Sequence, residues 1–120
     1  MQQLVKIIEA LSDVNRLKII KLLQKNPLCV CEIEKLLPIS QSTTSHHLKI
    51  LTYTNIVTSE KQGTWIIYQL NTANLSAEIQ EIVQAVLNCL DKNKVCETLL
   101  KEQKKLSKII RGNNNTCKNL

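Results

Sequence analysis

The chain has no phenylalanine, and aromatic residues make up only 2% of its 120 positions. A core built on stacked rings is therefore excluded. The interior has to come from leucine, isoleucine and valine, within a hydrophobic fraction of 43%. No run approaches the ~18 apolar residues of a membrane span, and Met1-Gln2-Gln3-Leu4-Val5-Lys6 lacks the pattern of a secretory signal. These absences predict a soluble, cytoplasmic protein with no membrane partner. No nucleophile, acid–base pair or phosphate loop stands out either, which argues against an enzyme. Internal repeats are missing, and Asn113-Asn114-Asn115-Thr116 is the only low-complexity segment.

The length suits one domain and is too short for two of ordinary size. The expected division is a folded unit over 1–111 and a flexible C-terminal tail over 112–120, starting at Gly112. An aliphatic core this small is thin, and a long apolar C-terminal stretch has nothing of its own to cover it. A second copy of the chain, docked through the terminal helices, is the expected remedy. The net charge of +6 favours an anionic partner such as DNA. It is spread as +2 over 1–39, +1 over 40–70 and +3 over 71–120. Charge would steer such a partner, and geometry would have to specify it.

Leu4, Val5, Ile7, Ile8 and Leu11 recur at helical spacing. Ser12-Asp13 then offers an N-cap for a second helix carrying Val14, Leu17, Ile20 and Leu23. Asn26-Pro27 stops that helix, because proline lacks an N–H and biases its predecessor away from helix. Ile33, Leu36 and Leu37 suggest a short third helix ended by Pro38, and Ser40 caps a fourth. Residues 57–61 and 64–70 are rich in Val, Thr, Ile, Trp and Tyr, with Gln62-Gly63 between them, which reads as a β-hairpin. Two helices joined by Pro38-Ile39-Ser40 and followed by a hairpin predict a mainly α winged helix-turn-helix, the hairpin being the wing. From Leu75 the apolar steps continue to about residue 110, with Asp91-Lys92-Asn93-Lys94 as a polar interruption. The reading favoured there is one continuous helix.

At ~100° per residue, Thr44, Leu48 and Leu51 share one face of the fourth helix, and Ser42, His46, Lys49 and Tyr53 lie opposite. Short hydrogen-bonding side chains at the first turns are what a major-groove reader needs. Gln41, Ser42, Thr43, Ser45 and His46 supply them, Lys49 suits a phosphate, and Lys61 and Gln62 sit at the wing tip. An ordinary amphipathic surface helix would show the same periodicity. Adjacent His46 and His47 diverge too far to share an ion, and His47 is expected to be partly buried.

Five cysteines cannot all pair within one chain, and a reducing cytosol would keep them as thiols available to soft cations. Cys29 and Cys31 can chelate one ion only where the backbone is extended or distorted, since residues two apart on a helix point apart. That places them at the mouth of the third helix, where unpaired N–H groups would lower the thiol pKa. Two sulfurs rarely suffice, so a third ligand is expected. Cys117 on the tail is preferred, with Cys89 and Cys96 as alternatives. Those two are seven apart and would superpose on one helix face, where burial as small apolar side chains is the competing role. A redox-sensing thiol pair is a rival reading. A thiol oxidoreductase is disfavoured because Cys-x-Cys is not Cys-x-x-Cys.

Leu11-Ser12-Asp13-Val14-Asn15-Arg16-Leu17-Lys18-Ile19-Ile20, Leu28-Cys29-Val30-Cys31-Glu32-Ile33, the segment Gln41 to Lys49, and Gly63-Thr64-Trp65-Ile66-Ile67-Tyr68 together resemble the ArsR/SmtB family over roughly residues 5–72. The resemblance implies a homodimeric winged-helix repressor that leaves double-stranded operator DNA when a metal or metalloid binds. The Cys-Val-Cys block is similar to the arsenite- and cadmium-responsive branches. The family's arsenic pattern has another cysteine three residues past the pair, where this chain has Glu34. Terminal cysteines serve some cadmium- and lead-responsive relatives, which is the precedent for Cys117. The zinc-type cluster of the last helix is not matched. The implied inducer is arsenite, As(III), with Sb(III), Cd(II) or Pb(II) as alternatives.

Overall fold

Asp13 starts the second helix of the chain. In the computed structural model, which describes the backbone of residues 1–112 and side chains as far as Leu106, helix α1 spans Gln2–Ala10 and helix α2 spans Val14–Lys25. The Asp13 carboxylate accepts from Asn15 N (2.8 Å) and Arg16 N (3.2 Å), satisfying two N–H groups that a helix start leaves open. Asn26, ahead of Pro27, is extended and closes α2. Strand β1 (Leu28–Cys29) and helix α3 (Val30–Leu36) follow. Helix α4 (Gln41–Tyr53) is capped by Ser40, whose hydroxyl accepts from Thr43 N at 3.2 Å. Strands β2 (Val57–Gln62) and β3 (Trp65–Leu70) pair antiparallel, and β1 pairs with the other edge of β3.

The result is mostly helical, with a three-stranded sheet in the order β1-β3-β2. The α3–α4 pair and the β2–β3 hairpin form the winged helix-turn-helix. The wing turn lies one residue later than the sequence suggested. Gln62 pairs with Trp65, so Gly63-Thr64 makes the turn, and Gly63 takes the positive φ of +63° that its lack of a Cβ permits. Asn55, just past α4, is the other residue with positive φ among those described. Strand β1 was not anticipated, since two residues are too short to show alternation.

Helix α2 is the centre of the core. Ile19, Ile20, Leu22 and Leu23 are buried against β3, α4, and helices α5 (Ala77–Asp91) and α6 (Lys94–Gly112). The expected apolar face is corrected in one place: Val14 is exposed, because the buried arc is centred on Ile19 to Leu23. Lys21 lies inside that arc, only 2% exposed. Its ammonium pairs with Asp91 and donates to Gln24 Oε1 at 2.7 Å, so the buried charge is matched. On α1 the core takes only Ile7 and Ala10, which leaves Leu4, Val5 and Ile8 open to solvent.

The expected continuous C-terminal helix is corrected to two. The backbone breaks at 92–93, and the Asn93 side chain caps α6 by accepting from Val95 N (2.9 Å) and Cys96 N (3.3 Å). The expected shared helix face of Cys89 and Cys96 is corrected with it, and only Cys96 takes the buried apolar role. Cys89 is exposed on α5 and Cys96 is buried on α6, so they do not superpose on one helix face. Helix α6 instead folds back over α2 and α3, fixed by buried Gln103 donating to Leu22 O at 3.0 Å. Among the described residues no helix is long and apolar enough to cross a membrane.

Candidate DNA-reading helix and thiol pocket

Helix α4 divides as its sequence predicts. Thr44, Leu48 and Leu51 are fully buried, and Ser42, His46, Lys49 and Tyr53 are exposed. Gln41, Thr43 and Ser45 also face solvent, as do Lys61 and Gln62 at the wing tip. The hydroxyls at the helix start are already linked, Ser40 Oγ lying 2.9 Å from Thr43 Oγ1 and 3.1 Å from Ser42 Oγ. Such a face offers hydrogen bonds to base edges and phosphates without unburying any core residue.

What holds that face in place is a polar cluster that sequence reasoning missed. Arg16 donates through Nε to Ala10 O (2.7 Å) and through Nη2 to Glu9 O (3.1 Å), tying off the last carbonyls of α1. Its third donor, Nη1, reaches His47 Nδ1 on α4 at 3.1 Å. His47 is buried as expected, and its Nε2 lies 3.9 Å from the Asp13 carboxylate. Burial lowers the His47 pKa below 6.5, with Arg16 adding to the fall and Asp13 opposing it. The ring is therefore held neutral, and its Nδ1 accepts. The signal was present in Asp13 and Arg16 standing three apart at a helix start, but nothing local pointed to His47.

The Cys29–Cys31 pair lies at the mouth of α3. Cys29 is the N-cap of α3 in extended backbone (φ −90°, ψ 167°), and Cys31 is in the first turn. This change of backbone between the two turns their sulfurs together, 2.9 Å apart. Glu32 reaches back to accept from Cys29 N at 3.0 Å, the reciprocal half of a capping box. Both cysteines are buried, 5% and 3% exposed, with Trp65, Ile67 and Leu106 packed against them. The expected low thiol pKa is corrected. Burial pushes Cys29 up to about 11, and the Glu32 carboxylate pushes the same way, outweighing the N–H groups of Glu32 and Cys31.

A cavity of about 140 Å³ opens beside the sulfurs, lined by Cys29, Cys31, Gln41, Thr64, Trp65 and Ile66 among others. It therefore joins the two sulfurs to the first residue of α4 and to the wing. Among the described residues no three His, Cys, Asp or Glu side chains are grouped to hold a metal ion. Cys89 and Cys96 do not join the pair, and Cys117 lies outside the described residues. Glu34, in the position of the family's further cysteine, is half-buried with one carboxylate oxygen lacking a hydrogen-bond partner.

Residues 13–59 match the family described as bacterial regulatory protein, arsR family. The arsenical resistance operon repressor of Staphylococcus aureus is 37% identical over 98 residues, spanning 82% of this chain and 92% of that protein. The chain belongs to the ArsR family. Another relative of this ArsR-family chain is the cadmium resistance transcriptional regulatory protein CadC of Listeria innocua, 40% identical over 82 residues, 62% of this chain and 69% of that protein. Among solved structures, HlyU from Vibrio cholerae has a TM-score of 0.64 at 26% identity, covering 76% of this chain and 95% of that one. The homodimeric winged helix-turn-helix DNA-binding domain of Mb0332 from Mycobacterium bovis has a TM-score of 0.62 over 76% of this chain and 81% of its own; at 22% identity the likeness is one of fold. The chain is thus a transcriptional regulator by family and a DNA-binding winged helix by fold, and the resemblance read in its motifs is correct.

Proposed function

We propose that this chain is a repressor whose dimer grips a two-fold symmetric operator and releases it when arsenite, or antimonite, ligates Cys29, Cys31 and a third thiolate. Cys117 is the first candidate for that third sulfur. The observation that carries the reading is the cavity shared by the two sulfurs, Gln41 and the wing. A ligand drawing Cys29 and Cys31 into one coordination sphere moves the cap of α3, and the same cavity wall begins the reading helix. The base readers are Gln41, Ser42, Thr43, Ser45 and His46, with Lys49, Lys61 and Gln62 on the backbone. The homodimeric Mb0332 domain and the exposed apolar stripe of α1 support the dimer.

Thiol chemistry favours the metalloid over cadmium. Arsenous acid brings its own hydroxyl groups, so each S–H entering the site gives its proton to a departing hydroxide and one water leaves per As–S bond formed. A cadmium ion brings no such base and must expel the proton of each S–H it displaces into bulk solvent. A buried thiol that rests protonated suits the first exchange better. The arsenical repressor of S. aureus aligns over 82% of this chain and the cadmium regulator of L. innocua over 62%, which supports the same choice.

The test is fluorescence anisotropy on operator DNA with added arsenite. Wild type is expected to dissociate, whereas Cys29→Ser binds the operator equally well without arsenite and stays bound with it. Release of the Cys29→Ser variant at the wild-type arsenite concentration contradicts the assignment.

A further inference from the structure

We propose that the groove between α1 and α4 seats a phosphate of the DNA backbone, carrying the DNA footprint from the reading helix onto the first helix of the chain. This rests on the DNA-binding reading above. The groove has a volume of about 490 Å³ and lies away from the thiol pocket, with Lys6, Arg16, His46, Lys49 and Tyr53 on its walls and Glu9 as its one acidic residue.

Helix α1 has three distinct sides. Counting ~100° per residue from Leu4, the exposed apolar residues Leu4, Val5 and Ile8 occupy one arc, Ile7 and Ala10 face the core, and Lys6 and Glu9 take the remaining arc beside α4. Lys6 does not trail into solvent. Its ammonium donates to the Tyr53 hydroxyl at 3.1 Å and sits 4.7 Å from the centre of the Tyr53 ring. A cation held in this way has less side-chain freedom to lose when it meets an anion. Arg16 contributes charge, but each of its three guanidinium nitrogens is already engaged, by Ala10 O, Glu9 O and His47. Lys6 and Lys49 are thus the two ammonium groups of the groove, against one carboxylate.

His46, Lys49 and Tyr53 belong to the exposed face of α4, so the groove continues the reading surface without a break. A helix lying in the major groove brings the flanking phosphates to its two edges, where lysines fix register without reading sequence. Lys6 is placed at one such edge although it stands thirty-five residues before the start of the reading helix, and no helix-turn-helix signal marks it. A free phosphate has the same chemistry as the DNA backbone, and only the backbone is also delivered by the neighbouring reading face.

The experiment measures operator affinity against salt for wild type, Lys6→Gln, Lys6→Arg and Lys94→Gln, the last removing equal charge from the start of α6. Lys6→Gln is expected to weaken operator and unrelated duplex alike and to flatten the log K against log salt slope by about 0.9 per protomer. Lys6→Arg is expected to restore the slope and Lys94→Gln to leave it unchanged, all with wild-type circular dichroism. A wild-type slope in Lys6→Gln overturns the proposal, as does an equal loss in Lys94→Gln. Inorganic phosphate competing operator off wild type but not off Lys6→Gln, relative to chloride at equal ionic strength, also overturns it in favour of a free-anion site. A wild-type protein that binds no duplex overturns this inference and the DNA-binding reading together; the other failures leave that reading standing.

Discussion

Helices α3 and α4 begin in the same way and serve opposite ends. Each starts from an extended N-cap residue with a short polar side chain, Cys29 in one case and Ser40 in the other. The Ser40 start is exposed, and its hydroxyl, Ser42 and Thr43 hydrogen-bond among themselves where water or a groove can replace them. The Cys29 start is enclosed by Trp65, Ile67 and Leu106, and burial holds its thiol protonated. One helix start can meet a large polar partner with little rearrangement. The other admits only something small enough for its cavity and able to take up a thiol proton. The two N-caps stand eleven residues apart in the chain, and Gln41 lines the cavity of the first while heading the second.

The largest expected effect that separates these two starts is at Gln41. Gln41→Ala should reduce discrimination at one operator base pair by about 1–3 kcal/mol, measured by competition between matched and mutated duplexes. It should leave arsenite affinity nearly unchanged. A parallel loss of arsenite affinity would mean that the shared wall matters more than the sulfurs themselves.

Glu32→Ala is expected to destabilise the fold by roughly 1–3 kcal/mol in urea melts, because it strands the buried Cys29 N–H. It should also raise the thiolate share of Cys29 at a given pH, since the Glu32 carboxylate helps hold the thiol pKa up. Alkylation by iodoacetamide should therefore be faster and its pH profile displaced downward. Ser40→Ala, the matching change at the exposed start, should cost about 1 kcal/mol and leave Cys29 alkylation alone.

The smallest effect is one of pH. His47 titrates below 6.5 in the fold, so the unfolded chain binds its proton first as pH falls. Its contribution to stability is complete above pH 6.5 and is lost as pH drops from there through the lowered folded value. His47→Gln should flatten the pH dependence of the urea midpoint in that window. A slope unchanged by this substitution would assign the dependence to other groups.

The winged helix-turn-helix was legible because its punctuation is local: the Asp13 and Ser40 caps, the Pro27 and Pro38 stops, and Gly63 at the wing. The two faces of α4 followed from periodicity alone. The break at 92–93 was not legible, because a polar run also suits one solvated helical turn. What decides it is Asn93 capping forward onto α6 and Lys21, seventy residues away in sequence, holding Asp91. The placement of Cys29 and Cys31 at a helix mouth was readable from spacing, but the thiol pKa was not. Local N–H groups favour the thiolate, and the burial that wins depends on Trp65 and Leu106 arriving from β3 and α6. Arg16, His47 and Lys6 were hidden for the same reason, each finding its partner on a distant element.

The central claim is that ligation at the sulfurs and the hold on DNA are two ends of one equilibrium. Its most direct test is arsenite affinity measured by tryptophan fluorescence, with Trp65 beside the site as reporter, in the presence and absence of saturating operator duplex. The account expects operator DNA to weaken arsenite binding by the same factor by which arsenite weakens DNA binding, a coupling of about 1–3 kcal/mol or roughly 5–150-fold. Arsenite affinity that is the same with and without operator would contradict it.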